Sequence, residues 1–204
     1  MPIVTSIKVQ EKNKKRCNLF IDGEFYAGIS LESALKYRLK NGIELTEKEL
    51  TEIIFESNKV EALSLSIKYV TKTLKTKKQV KEYLLNKGYS NDVVWYCIDK
   101  LKEYKYIDDS EYAKRYIEST SKNQGKRLTE YKLMMKGVKK EDISLAYDDA
   151  IVSYKDNALC VAEKHIKNKE RTNENLSKTY RYLISRGFSY EEANFAISKL
   201  KEED

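Results

Sequence analysis

Apolar positions alternate with others at the start of the chain and then change period. Ile3, Ile7 and Val9 lead into the polar run Glu11 to Lys15. Cys17, Leu19 and Ile21 then alternate with Asn18 and Phe20, and Asp22-Gly23-Glu24 precedes Phe25 and Tyr26. Alternation around an Asp-Gly turn predicts β-hairpins. A small antiparallel sheet of about three strands is expected over residues 3–29. Three short strands enclose little core of their own, so this sheet is expected to lean on the helices that follow. From Ser30 the period becomes helical. Ser30, Ser33 and Ala34-Leu35 open a helix expected to reach about Leu39, with Asn41-Gly42 ending it. Thr46 and Glu49 form a capping box for a helix carrying Leu50, Ile53 and Ile54. A further helix is expected from about Lys59 to Lys72, with Ala62, Leu65 and Tyr69 on one stripe.

Beyond this point one phrase occurs three times: an apolar helical stripe, a basic residue, a glycine and an apolar residue. The copies end in Lys87-Gly88-Tyr89, Lys136-Gly137-Val138 and Arg186-Gly187-Phe188, and their glycines stand 49 and 50 residues apart. A fixed period near 50 residues predicts a helical repeat. Each unit resolves into helices a, b and c, with the glycine ending helix b. The expected b stripes are Val80, Tyr83 and Leu84; then Leu128, Tyr131, Met134 and Met135; then Leu176, Tyr180, Leu183 and Ile184. The expected c stripes are Val94, Cys97, Ile98 and Leu101; then Ile143, Ala146, Tyr147 and Ala150; then Ala193, Ala196, Ile197 and Leu200, the last helix opening with a Ser189/Glu192 capping box. The predicted fold is mostly α, an elongated array of tandem three-helix repeats behind a small N-terminal antiparallel sheet. Its expected divisions are 1–58, 59–107, 108–154 and 155–204.

Composition agrees with a helical protein: 35% charged residues, one proline and seven glycines in 204 residues. The formal charge of +7 points to acidic or nucleic-acid partners, and its distribution is more informative than its sum. Residues 68–87 carry a net +6, residues 122–140 a net +6 and residues 164–186 a net +5. The helix-c segments 141–156 and 190–204 carry −4 and −3. Each repeat therefore presents a basic helix b. The expected binding residues are Lys75, Lys77, Lys78 and Lys81; Lys126, Arg127, Lys132 and Lys136; and Lys178, Arg181 and Arg186. A solvated face is the plainer explanation of any single cluster, but threefold recurrence at one structural position favours a surface for a long polyanionic or acidic partner. Lysine outnumbers arginine, which favours salt-sensitive contact over base readout.

Candidates for chemistry are few. Asp108-Asp109 is read as a helix cap. His165 is the only histidine, which leaves no basis for a His-cluster metal site and disfavours a Ser-His mechanism. No phosphate-cradling glycine loop or Cys-His zinc spacing occurs. The chain is expected to have no catalytic residues, metal or cofactor. Cys17, Cys97 and Cys160 are unpaired by spacing and are read as reduced thiols, Cys97 and Cys160 as small core residues. Met134-Met135 is read as core filler, and one of Trp95 and Tyr96 as core. With no apolar leader and no long apolar run, a cytoplasmic protein without membrane contact is expected.

Three patterns together resemble the RecX family of regulatory proteins. They are the hairpin Asn18-Leu19-Phe20-Ile21-Asp22-Gly23-Glu24-Phe25, the phrase Tyr104-Lys105-Tyr106-Ile107-Asp108-Asp109-Ser110-Glu111-Tyr112-Ala113, and the basic-Gly series at 88, 137 and 187. The chain departs from the family pattern at Lys105, where glycine is common, at Lys75-Thr76, where Arg-Ser stands, and at Glu130-Tyr131, where an acidic-Leu pair is usual. The resemblance implies tandem three-helix repeats and a non-catalytic modulator, most often an inhibitor, of the RecA recombinase, lodged along the RecA–DNA filament. It also implies a part in recombination, DNA repair and the SOS response. A monomer with weak, salt-sensitive contact to single- or double-stranded DNA is expected. The alternatives from the residues are an autonomous DNA-binding helical protein and a scaffold for another acidic protein.

Overall fold

The computed structural model describes residues 1–202. Glu203 and Asp204, two of the carboxylates expected in the last acidic segment, lie outside the described residues. The chain forms two compact units, one of Met1–Thr73 with Val80–Tyr106 and one of Leu74–Gln79 with Ile107–Asp204. It is mostly helical, with ten helices among the described residues and a three-stranded antiparallel sheet, as the change of period predicts.

In the first unit β1 (Val4–Val9), β2 (Arg16–Ile21) and β3 (Glu24–Ser30) pair in sequence order. Asp22 and Gly23 both take positive φ, 49° and 90°, as a two-residue hairpin turn requires. The buried face of the sheet, with Val4, Cys17, Leu19 and Ile29, packs on Ala34, Leu50 and Ile53. Ala34 belongs to α1 (Leu31–Lys36), which is shorter than expected: Arg38, with φ 50°, takes the left-handed turn just after it, and Gly42, left-handed too at 86°, lies beyond the helix. Leu50 and Ile53 belong to α2 (Glu47–Lys72), a single helix where two are expected from sequence. No glycine or proline interrupts it, and its polar pair Ser57-Asn58 is buried on the helix rather than marking a break. Ser57 Oγ accepts from Ser30 N, and Asn58 Oδ1 accepts from Arg16 Nη2 at 3.0 Å. Arg16 also donates to the Gly28 carbonyl and pairs with Glu61, tying sheet to helix. The far half of α2 packs against α4 (Asn91–Glu103), whose Val94, Cys97, Ile98 and Leu101 are all buried as predicted.

The helix α3 (Lys77–Asn86) begins in the second unit and continues in the first. The second unit also holds α5 (Asp109–Thr120), α6 (Lys126–Met135) and α7 (Lys140–Asp148), around Ala113, Ile117, Leu133, Val138 and Ile143. A separate core of Ala158, Val161, Ala162, Leu183, Phe188, Ala196 and Leu200 lies among α8 (Tyr154–Ile166), α9 (Asn173–Ser185) and α10 (Tyr190–Glu202). No helix among the described residues is long and apolar enough to cross a membrane.

The recurring glycine sets the register of the b helices α3, α6 and α9. Gly88, Gly137 and Gly187 have φ of 85°, 84° and 87°. In each copy the next residue's N–H reaches back five positions, Tyr89 to Leu84, Val138 to Leu133 and Phe188 to Leu183. That is the Schellman closure of a helix C-terminus. The leucine four before each glycine is fully buried, and so is the residue eight before: Val80, Thr129 and Thr179. The buried threonine hydroxyls donate to the carbonyls of Gly125 and Asn175, one turn back.

This register corrects the expected face of α6. Tyr131, Met134 and Met135 are exposed, and Thr129 and Leu133 fill the core instead. Cys160, expected in the core, is also exposed, while Cys97 is buried. The same turn recurs at the end of α4, where Tyr106 N bonds to Leu101 O and Lys105 takes φ 56°. A side chain there costs about 1–2 kcal/mol that glycine avoids. Lys105→Gly is therefore expected to raise the thermal midpoint by about 2–4 °C, measured by circular dichroism. The repeat glycines are not equivalent. A Cβ on Gly88 meets nothing within 4 Å, whereas one on Gly187 stands 2.4 Å from Leu128 N and Cβ. In urea titrations Gly88→Ala is expected to cost about 1–2 kcal/mol, and Gly187→Ala about 1–3 kcal/mol beyond that.

Candidate functional surface

The eleven cations expected to form one binding stripe serve three different purposes. Some build joints between helix ends. In the second unit the first turn of α3 abuts the C-terminus of α6. Thr76 Oγ1 donates to the Lys136 carbonyl at 2.6 Å, Lys78 Nζ donates to the Met135 carbonyl at 3.0 Å, and the Lys78 side chain lies over Gly137. Lys77 contributes its backbone N–H, which donates to Asp109 Oδ1 at 2.8 Å. The first turn of α6 meets the C-terminus of α9 in the same way. Gly125 N donates to the Arg186 carbonyl at 3.0 Å, and Arg127 N to the Gly187 carbonyl at 3.2 Å. The Arg186 guanidinium closes this joint from outside, donating through Nε and Nη2 to the Asn123 carbonyl at 3.1 and 3.0 Å.

Both joints satisfy groups that a helix leaves unpaired at its ends, N–H at the start and C=O at the finish. They also set the positive end of one helix dipole against the negative end of another. Gly125 has no room for a side chain, because a Cβ there would stand 2.2 Å from the Gly187 oxygen. Asp108 and Asp109 are helix caps as expected, but for two helices: Asp108 accepts from Ser110 and Glu111 N–H of α5, Asp109 from the start of α3.

A second group of cations lies against rings. Lys81 Nζ is 5.2 Å from the centre of Trp95, Lys126 Nζ 4.5 Å from Tyr147 and Lys136 Nζ 5.7 Å from Tyr116. Trp95 is accordingly the exposed member of its pair with Tyr96, which packs edge-on to Phe55. The third group faces solvent with local partners: Lys132 donates to Gln124 Oε1, Lys178 pairs with Glu174, and Arg181 Nε donates to the Ser177 carbonyl. Arg127 is exposed, and Lys75 is half-buried just before α3. A cleft of about 350 Å³ beside the α6–α9 joint is lined by Lys126, Arg127, Glu130, Phe188 and Tyr190.

The structure thus brings Lys77, Lys78 and Lys136 together at one joint and Arg127 and Arg186 at the other. Sequence reasoning missed Thr76, Asn123 and Gly125. Their signal lies in the register, since Thr76 and Gly125 each stand twelve residues before a repeat glycine. His165 lies in the last turn of α8, stacks on Tyr182 with ring centres 4.4 Å apart and hydrogen-bonds Thr179. Burial, with nearby Lys169, holds its pKa below the usual imidazole value. Burial pushes the Cys97 thiol up to about 11, far from the range of a reactive thiolate.

Arg186 is expected to matter to stability and Lys178 not. Arg186→Gln should lower unfolding free energy by about 1–2 kcal/mol through the lost charged hydrogen bonds, and Arg186→Lys should restore only part of it, because one ammonium donor replaces two N–H groups converging on the Asn123 oxygen. Lys178→Gln should stay within about 0.5 kcal/mol of the parent in the same urea titration.

Residues 2–46 match the family described as regulatory protein RecX N-terminal domain, and residues 62–101 match RecX, first three-helix domain. Regulatory protein RecX of Clostridium tetani (strain Massachusetts / E88) is 37% identical over 202 residues, spanning 97% of this chain and 94% of its own. Its counterpart in Clostridium botulinum (strain Alaska E43 / Type E3) is 34% identical, over 94% and 92% of the two chains. A crystal structure of regulatory protein RecX superposes with a TM-score of 0.63 at 22% identity, covering 96% of this chain and 98% of that one, and so shares the fold. The chain belongs to the RecX family of regulatory proteins.

Proposed function

We propose that this chain is a non-catalytic regulator that binds the RecA–DNA filament and slows recombinase ATP hydrolysis and strand exchange. Membership of a regulatory family supports the class of function. The observation that carries the filament reading is the repetition of one basic helix with one kind of joint. A filament presents identical subunits at regular intervals, and a chain with repeated helices can engage several at once, gaining avidity without one strong site. The four-part division at 1–58, 59–107, 108–154 and 155–204 belongs to the same proposal, with α2 shared between the first part and the first repeat. The basic surface of α6 then lies near phosphates or partner carboxylates, and binding weakens with salt.

The test is to titrate the protein into RecA on single-stranded DNA and follow ATP turnover. A concentration-dependent fall is expected, and no change at several-fold excess over filament subunits would sink the reading. Reversing Lys126, Arg127 and Lys132 together to glutamate is expected to weaken the effect about tenfold or more at low salt, since such a change replaces attraction by repulsion. An unaltered titration curve would mean that these cations are only solvated.

A further inference from the structure

The exposed face of α6 is more apolar than the fold requires. Arg127, Tyr131, Met134 and Met135 fall within an arc of about 100° on a helix of 3.6 residues per turn. Tyr131, Met134 and Met135 are 57%, 48% and 59% exposed. The buried Thr129 and Leu133 lie on the opposite side.

The sister helices show what such a face needs for folding alone. Six residues before the repeat glycine, where α6 has Tyr131, α3 has Glu82 and α9 has Arg181. Two residues before it, where α6 has Met135, they have Asn86 and Ser185. Glu82, Asn86, Arg181 and Ser185 are likewise exposed. Three residues before it all three helices are apolar, with Leu85, Met134 and Ile184, so that position distinguishes nothing. Two apolar side chains have thus been placed on the surface of the middle repeat where equivalent helices fold with polar ones. Clustered exposed apolar residues mark a contact surface. Tyrosine and arginine are the side chains that most often anchor protein interfaces, and methionine adapts its shape to apolar pockets.

We infer that this face is the surface through which the middle repeat docks on a protein rather than on nucleic acid. Its partner is an acidic protein surface offering an apolar pocket for Tyr131 and Met135 and a carboxylate for Arg127. Charge complementarity decides the partner's sign. Arg127 carries the one cation on this arc, and its guanidinium has no ion pair among the described residues. A groove for a nucleic-acid backbone would instead need several cations in this arc. Lys126, Lys132 and Lys136 point away from it, each with a partner of its own on another side of the helix. The inference rests on the filament reading above and deepens it: the face meets recombinase protein, leaving other cations for DNA.

The decisive variant gives α6 the residues of α9, Tyr131→Arg with Met135→Ser. It adds a cation while removing apolar surface, so the two kinds of partner respond in opposite directions. Fluorescently labelled full chain is titrated with recombinase filament assembled on poly(dT), and separately with bare poly(dT). The expected result is filament affinity reduced about tenfold or more, bare-strand affinity unchanged or increased, and an unchanged urea midpoint. Filament affinity that is unchanged or higher overturns the docking face and leaves the filament reading standing. Parent protein that fails to bind filament overturns both. A dimer of the parent in sedimentation that the variant abolishes makes the face a self-contact and overturns the proposal as well. Should the double variant unfold, Met135→Asn, the α3 residue, decides the matter by the same filament titration, with a loss of about threefold or more expected and no loss overturning it.

Discussion

Each basic helix ends on a glycine in the left-handed conformation, and that constraint propagates through the rest of the second unit. Closing the helix there turns the following residue back into the core. It also leaves the last carbonyls, Lys136 O and Arg186 O, facing outward along the axis, where they accept from Thr76 and Gly125 at the start of other basic helices. Glycine is needed twice over at the α6–α9 joint. Gly187 needs its φ and Gly125 needs its missing Cβ, because the two backbones approach more closely than any side chain permits. A helix end buried without partners would leave several polar groups unsatisfied, each costing about 1–3 kcal/mol. The joint answers that cost with the ends of two helices at once.

The joints also separate the cations by task. Lys78 and Arg186 both donate to main-chain carbonyls, so architecture is one of their tasks. Lys81 and Lys136 rest on aromatic rings, an arrangement that holds the ammonium near the surface without neutralising it, and Lys126 rests on Tyr147 while pairing with Glu130 at 3.9 Å. Lys178 is tied to a carboxylate one turn away, a contact that solvent and salt readily exchange. Net charge per segment, the quantity read from sequence, adds these unlike groups together. A threefold recurrence of positive charge is real, but its members act differently: Lys78 and Arg186, which both donate to carbonyls, stand at different positions in their repeats.

Much of the architecture was legible in the order of residues. The alternation around Asp22-Gly23, the capping boxes at Thr46/Glu49 and Ser189/Glu192 and the three glycine-ended helices are local features, encoded in a few neighbouring positions. Structure departs from the local pattern where tertiary contact overrides it. Apolar residues alone pick Tyr131, Met134 and Met135 for the buried face of α6. The true register counts back from Gly137 in fours and buries Thr129, a polar residue whose hydroxyl is satisfied one turn back. Likewise Ser57 and Asn58 lie inside α2 because the sheet supplies partners, Ser30 N–H and Arg16, that no window on α2 contains.

The exposed stripe on α6 has a physical meaning. Apolar residues on a helix are ordinarily explained by the core, and a stripe that the core does not claim asks for another cause. Three repeats in one chain provide an internal control, since α3, α6 and α9 share the same glycine closure and the same buried leucine. Whatever all three have in common is what the fold demands. What α6 alone carries, an exposed tyrosine and methionine where its sisters have charged or polar residues, the fold does not demand. Exposed apolar side chains favour association through water release, so under the docking inference specificity would lie in the middle repeat and the surrounding charge would add rate and reach.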